Sequence, residues 1–150
     1  MNISASGVKF IKSWEGLSLK AYQCQAGVWT LGWGSTFHKD KSKVQKGETI
    51  TEEEADDLLM FEIGLIEKEI NKMNLNLNQH QYDSVISFCF NVGVNGFKKS
   101  TLLKLIKQDP FHPSIRDQFL KWNKVRVDGK LIVSKGLSNR RNAEVNIYFG

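Results

Sequence analysis

The feature that most constrains the fold is a long helix-forming segment that begins at Thr51. Glu54 follows Thr51 by three residues, which is the pattern of a capping box, and further glutamates stand in the first turn. Apolar residues then recur with the spacing of one helix face: Ala55, Leu58, Leu59, Ile63, Ile66, Ile70 and Met73. The pattern predicts a helix over 51–73, roughly 30 Å long, which can connect two parts of a small protein.

The chain before this helix changes character at Gly16. The apolar spacing predicts a first helix over about 4–14, capped by Ser4 or Ser6. Gly16 is a natural stop, because glycine accepts the left-handed conformation that ends many helices. Between 17 and 36, short apolar runs are broken by glycines, which indicates short antiparallel strands. A lysine-rich loop then leads to the long helix.

The chain after Asn78 is mostly helical in pattern. We predict helices over 79–91, 98–107, 114–122 and 138–149, with turns at 93–96, 110–113 and 127–136. The segment 125–133, which overlaps the last of these turns, has the pattern of a small hairpin with Asp128-Gly129 as its turn.

These patterns predict an α+β fold that is mainly helical. We expect one domain over 1–150, with a small lobe at about 15–50 that carries the first strands. The connecting helix at 51–73 leads to a helical lobe at about 74–150, which also includes the N-terminal helix. Ligand sites usually form in clefts between such lobes.

Charge and composition limit the partners without naming one. The chain has 150 residues, a net charge of +5 and a pI of about 9.2, which favours anionic polymers such as nucleic acid, cell-wall polymer or a membrane surface. No apolar run approaches the roughly 20 residues of a membrane span, and the N-terminus lacks a signal-peptide core. We therefore expect synthesis in the cytoplasm, no stable membrane insertion, and release by another factor if the protein acts outside.

Several chemistries lack the residues that they need. His38, His80 and His112 are far apart in the sequence, and Cys24 and Cys89 fit neither a zinc ligand set nor a disulfide framework, although one bridge between them stays open. No phosphate-binding loop or Gly-x-Ser-x-Gly elbow is present. Basic residues are interleaved with acids and core positions, which favours a solvated face over a nucleic-acid surface. We expect no cofactor, no metal and no nucleic-acid partner.

Glu15, Cys24 and Thr30 are the remaining candidates for chemistry. Each also has a structural interpretation: an exposed acid at a helix end, a small buried side chain and an ordinary strand residue. A glutamate is disfavoured by the dipole at a helix C-terminus, which indicates another reason for Glu15. Cleavage of a glycosidic bond needs an acid with apolar neighbours to protonate the leaving oxygen, and Trp14 is adjacent. In an inverting enzyme a second group places the water, and Cys24 with Thr30 fits that task.

The pattern Glu15-x8-Cys24-x5-Thr30, with Glu-Gly-Leu at its start and Gly-Val-Trp-Thr-Leu-Gly-Trp-Gly around its end, closely resembles phage-type lysozymes. These are the endolysins of glycoside hydrolase family 24. The resemblance continues in order through most of the chain, at 47–55, 79–83, 87–93, 100–103 and 136–144.

The resemblance implies a lysozyme-like fold and a muramidase. Such enzymes hydrolyse the β-1,4 bond between N-acetylmuramic acid and N-acetylglucosamine in bacterial peptidoglycan. By position, Glu15 is the general acid, and Cys24 and Thr30 hold the attacking water. Phe90 and Ser100 match positions that line the sugar-binding cleft. We expect a monomer whose partner is peptidoglycan and whose action lyses bacteria.

Two positions depart from the commoner family pattern. Cys24 stands where aspartate is more frequent, and a free thiol, with a pKa of about 8.5, is mostly neutral at pH 7. No neighbouring side chain in the sequence is an obvious cause of a lower pKa. Ser35 replaces a histidine, so any support which that histidine gives the small lobe must differ here.

Two other functions compete with hydrolysis. A lytic transglycosylase cleaves the same bond without water and needs only the acid, whereas the presence of Cys24 and Thr30 favours hydrolysis. The second alternative is a catalytically inactive module that binds the cell wall.

Overall fold

The computed structural model describes every residue, 1–150, and contains seven helices and four strands. The helices are α1 (Ala5–Glu15), α2 (Glu52–Lys72), α3 (Gln79–Val92), α4 (Val94–Lys98), α5 (Thr101–Gln108), α6 (Ile115–Leu120) and α7 (Lys135–Tyr148). The strands are β1 (Ser18–Gln23), β2 (Trp29–Gly32), β3 (Lys124–Val127) and β4 (Lys130–Val133). The predicted α+β, mainly helical class is confirmed.

The chain forms two compact units. One consists of Val8–Leu65, and the other combines Met1–Gly7 with Ile66–Gly150. The helices α1 and α2 each contribute residues to both units, because the divisions fall within them. No helix is both long and apolar enough to cross a membrane.

In the unit Val8–Leu65, β1 and β2 pair antiparallel, with Tyr22 opposite Thr30 and Gln23 opposite Trp29. One side of this hairpin packs on a small core formed by Ala21, Leu31 and Val44, with Trp29 and Ile50 against it. The other edge of β1 is also bonded, because the Ala21 amide donates to the Glu48 carbonyl at 2.9 Å. The hairpin is thus held on a face and at an edge.

The start of α2 and the end of α1, which both lie in this unit, fall where the sequence indicates. The Thr51 amide donates to Glu54 and the Glu54 amide donates to the Thr51 hydroxyl, each at 3.1 Å, which is the predicted capping box. At the end of α1, Gly16 has a φ of 70° and its amide donates to the Lys12 carbonyl at 3.1 Å. The turn at Gly16 fixes the end of α1 directly after Glu15.

In the other unit, α3 packs against α7 around a buried ionic cluster. Glu144 accepts from Ser87 Oγ at 2.7 Å and lies 2.7 Å from Arg141 Nε and 3.4 Å from Arg140 Nε. Arg141 also stacks over Phe88, 5.1 Å from the ring centre. These contacts account for the late Arg-Arg-x-x-Glu pattern, since each charge is buried but paired.

The same unit anchors the N-terminus of α1. Of the two predicted caps, Ser4 is the one used: its hydroxyl accepts from the Gly7 amide at 3.1 Å. The Ser4 amide donates to Asp83 on α3 at 2.9 Å, and Gln79 donates to the same carboxylate at 2.8 Å. Gln79 and Asp83, from the matched segment 79–83, therefore have a structural role.

Three boundaries differ from the prediction, the first being the start of α5 at Thr101 rather than at 98. The segment 93–96, expected as a turn, enters the short helix α4, because only Gly93 has a positive φ, 101°, and Gly96 is helical. Helix α7 begins at Lys135 rather than near 138, because the Ser134 hydroxyl accepts from the Leu137 amide at 3.2 Å and caps it. The predicted hairpin at 125–133 is present as β3 and β4.

Candidate active site

Glu15 is the last residue of α1 and is half-buried. Its carboxylate lies against Gly34: a methyl group added at Gly34 would be 3.0 Å from Glu15 Oε1. Gly34 also has a φ of 88°, a conformation that side chains disfavour. Both observations require glycine at 34, so the glycine allows the acid to approach the turn closely.

The turn that faces Glu15 is rigidly closed. Leu31 and Ser35 exchange two backbone hydrogen bonds of 2.8 Å, and the loop between them carries Trp33. Trp33 Nε1 donates to Asp56 on α2 at 2.7 Å, and Lys12 of α1 forms an ion pair with Asp56 at 2.9 Å. Lys12 also lies 5.0 Å from the Trp33 ring centre. These contacts join α1, the turn and α2 near Glu15. The hydrogen bond from Lys12 is also the main cause of a lowered Asp56 pKa.

A second carboxyl group, Glu62 on α2, belongs to this site. Its pKa is raised, mainly by burial and further by the charge of Glu15, while a hydrogen bond from Ser35 opposes the shift. The Ser35 hydroxyl is buried and makes no hydrogen bond of ordinary geometry, so its support of Glu62 is weak. Three basic side chains, His38, Lys39 and Lys41, line a pocket with Glu62, and the first two of them pair with other carboxylates.

Cys24 lies at the end of β1, where the chain turns towards β2. The Cys24 amide donates to the Val28 carbonyl at 3.0 Å, and the Gly27 amide donates back to the Cys24 carbonyl at 2.8 Å. Hydrogen bonds from the backbone amides of Val28 and Ala26 are the main causes of a lowered thiol pKa. These donors are backbone N–H groups of the turn, which the sequence does not reveal because every residue except proline carries one.

Thr30 lies near Cys24, since it stands opposite Tyr22 in the hairpin. Thr30 is buried on β2, and its hydroxyl also helps to lower the Cys24 pKa through a side-chain hydrogen bond. The same hydroxyl lies 3.1 Å from the Val28 carbonyl, to which it can donate. The structure therefore brings Cys24 and Thr30 together and places Glu15 in the same compact unit.

The two predicted sugar-binding residues lie in the other unit. Phe90 is half-buried on α3. Ser100 is buried and caps α5, since its hydroxyl accepts from Leu103 at 3.1 Å and donates to the Phe97 carbonyl at 2.6 Å. Ser100 thus has a structural role that the sequence-based interpretation missed, and its contact with sugar stays a prediction.

The remaining thiol, Cys89, differs from Cys24 in its surroundings. Both cysteines are free, so the disulfide left open by the sequence is not formed. Cys89 is fully buried on α3, and burial raises its pKa strongly. Cys89 is therefore a core residue.

Sequence reasoning missed Glu62 although a signal was present. Glu62 stands seven residues after Ala55, which places both on the same face of α2. Ala55 is buried there, with its methyl group 3.2 Å from where a side chain at Gly32 would begin, and Glu62 is half-buried. An acid on the apolar face of a helix is unusual and deserves a functional explanation.

Comparison with known proteins gives one consistent result. The model of the family described as phage lysozyme matches residues 12–144. The chain is 40% identical over 149 residues to the endolysin of Acyrthosiphon pisum secondary endosymbiont phage 1, covering 99% of this chain and 98% of the relative.

Solved structures agree with this match. The endolysin from Escherichia coli O157:H7 phage FAHEc1 superposes with a TM-score of 0.92 at 34% identity, covering 99% of this chain and 93% of that one. The muramidase domain of SpmX from Asticaccaulis excentricus superposes with a TM-score of 0.86 at 31% identity, covering 99% and 98%.

The fold and these likenesses define a lysozyme, an enzyme that degrades bacterial peptidoglycan. Within that class, the chain belongs to the phage lysozyme family. The expected fold, enzyme class and polymer are confirmed at this level.

Proposed function

We propose that the protein hydrolyses the β-1,4 bond between N-acetylmuramic acid and N-acetylglucosamine, with Glu15 as general acid and an attacking water held by Cys24 and Thr30. The observation that carries the proposal is the nearness of Cys24 and Thr30 at the end of the β1–β2 hairpin, in the unit that also holds Glu15. Two groups that bind one water can fix it better than either alone.

Glu15 suits the role of proton donor by its surroundings. The close approach to Gly34 leaves no side chain between the carboxyl group and the turn. A protonated carboxylic acid can protonate the leaving glycosidic oxygen as the bond breaks.

Cys24 and Thr30 suit the role of water holders by their hydrogen bonding. The backbone amides of the turn favour the thiolate, which can accept a hydrogen bond from water. When the Thr30 hydroxyl donates to Val28, its lone pairs remain to accept another. Water held in this way attacks the face of the sugar opposite the leaving group, which inverts the anomeric centre.

The two compact units act in this proposal as one catalytic domain. Phe90 and Ser100 of the larger unit contribute to sugar binding, and the enzyme works as a monomer without cofactor, metal or nucleic acid. The protein is made in the cytoplasm and reaches the cell wall after release by another factor, where its activity lyses the cell.

Mass analysis of the fragments from purified peptidoglycan tests the reaction. Hydrolysis of this bond yields fragments with reducing N-acetylmuramic acid ends and a gain of one water per cut. Anhydro-muramic ends would instead show a lytic transglycosylase, and the absence of fragments would show a binding module. Reducing N-acetylglucosamine ends would show that the neighbouring bond is the one cleaved.

A further inference from the structure

The β3–β4 hairpin, residues 124–133, is exposed on both of its faces. All eight strand residues are exposed, which leaves the hairpin without a buried side of its own. Five of them are large and apolar, and their exposed fractions are 39% for Val125, 44% for Val127, 61% for Leu131, 47% for Ile132 and 59% for Val133. An exposed apolar cluster of this kind often marks a contact surface.

The hairpin is nevertheless well defined by its own backbone. Asp128 and Gly129 have φ values of 49° and 78°, as the two central residues of a tight hairpin turn require. Arg126 Nη1 donates to the Gly129 carbonyl at 3.0 Å, and the Ser134 amide donates to the Asn123 carbonyl at 2.7 Å at the base. A two-stranded ribbon is only marginally stable alone in water, so a partner would stabilise this one.

The charge of the hairpin indicates an acidic partner. It carries Lys124, Arg126 and Lys130, and its single acid is Asp128 at the turn. Lys124 and Arg126 lie on the same face of β3, about 7 Å apart along the strand. Carboxylates two residues apart in an extended peptide have the same spacing. The acid at the tip disfavours insertion into an anionic membrane.

We propose that the β3–β4 hairpin binds the carboxylate-bearing peptide stems of peptidoglycan, an inference that rests on the proposed function. The basic side chains pair with the carboxylates, and the exposed apolar side chains cover the small methyl groups of the stem. The outer strand edges offer backbone N–H and C=O groups to an extended chain. The hairpin thereby adds contact with the peptide to contact with the glycan.

The test compares two triple variants on two substrates. The hairpin variant carries Lys124→Gln, Arg126→Gln and Lys130→Gln. The control carries Lys68→Gln, Lys104→Gln and Lys107→Gln, which removes the same charge from exposed helix positions. One substrate is intact peptidoglycan, and the other is the same glycan after an amidase has removed its peptide stems.

We expect the hairpin variant to lose about tenfold in kcat/KM on intact peptidoglycan and to match wild type on the peptide-free glycan, since exposed ion pairs each contribute modestly. The control should match wild type on both. Equal losses on both substrates, a loss shared by the control, or no loss at all would overturn the proposal.

Cosedimentation of the Glu15→Gln protein with the same two preparations measures binding without cleavage. We expect the Glu15→Gln protein to bind peptide-free glycan more weakly than intact peptidoglycan. Adding the hairpin substitutions should remove this difference between the two preparations. That result supports the hairpin's role even if the enzyme cleaves another bond. Hairpin-dependent binding to vesicles of anionic phospholipid, with unchanged binding to peptidoglycan, would identify a lipid surface instead and overturn the proposal. If wild type cleaves neither substrate, the proposed function fails while the binding result still decides the hairpin's role.

Discussion

The β1–β2 hairpin and the β3–β4 hairpin both pair short antiparallel strands across a turn that contains a glycine of positive φ. Their surroundings differ. Leu31 of β2 is 1% exposed and packs in a small core, whereas Leu131 of β4 is 61% exposed. The first hairpin is held by its neighbours and carries Cys24 and Thr30, while the second relies on its own backbone. Local sequence therefore makes a hairpin, and packing decides whether it can hold reacting groups.

The largest expected effect is a loss of kcat on substitution of the general acid, with no such loss on substitution of the β3–β4 turn. Glu15→Gln should lower kcat by about 10²–10⁴, because the amide keeps the shape but cannot donate the proton. The melting temperature should change little. Asp128→Asn neutralises the exposed acid at the β3–β4 turn. It should leave kcat within about twofold of wild type, since asparagine tolerates the positive φ of this position. Near wild-type turnover of Glu15→Gln on peptidoglycan would remove Glu15 from the mechanism.

A pair of leucine substitutions compares the packing of the hairpins directly. Leu31→Ala should reduce the free energy of unfolding by about 2–5 kcal/mol, because it leaves a cavity in the core of its unit. Leu131→Ala should change it by no more than about 0.5 kcal/mol. Urea denaturation measures both values. Similar losses in the two variants would show that the second hairpin is packed as firmly as the first.

The first hairpin can also be tested at its turn. Cys24→Ala should reduce kcat by roughly 10- to 100-fold, because the water loses one of its two holders. Cys24→Asp should stay within about tenfold of wild type, because a carboxylate can hold the same water. The ratio of the two kcat values shows how much a hydrogen-bonding side chain at position 24 contributes to catalysis. If the aspartate variant were as slow as the alanine variant, water holding would not be the role of Cys24.

The sequence predicted elements well where the signal was local and less well where it depended on packing. The capping box at Thr51, the stop at Gly16 and the turn at Asp128-Gly129 are each specified by neighbouring residues and are confirmed. Helix α4 was missed because glycines at 93 and 96 suggest a turn, yet Gly96 is helical.

The candidate site was also predictable only where its signal is local. The spacing of Glu15, Cys24 and Thr30 is visible in the sequence, but the donors that lower the Cys24 pKa are backbone amides, which any residue supplies. The proximity of Glu62 to Glu15 depends on how α2 packs against the turn at Gly32–Gly34. No local pattern specifies that packing.

The smallest expected effect concerns the two thiols. The lowered Cys24 pKa means that its thiolate forms at a lower pH than that of an ordinary thiol, so alkylation by iodoacetamide should begin at lower pH. Cys89, whose pKa is raised by burial, should stay unmodified in the folded protein. Peptide mapping after alkylation across a pH series distinguishes the two. Alkylation of Cys24 with the pH dependence of a free thiol would show that the turn does not stabilise the thiolate.

The configuration of the first product tests the central claim that Cys24 and Thr30 hold a water opposite Glu15. NMR of a fresh digest records the anomeric proton of the new reducing end before the sugar equilibrates. Attack by a held water predicts the α-anomer, formed by inversion of the β-linkage. A β-anomer as the first product, or a trapped sugar–Cys24 adduct, would contradict the account.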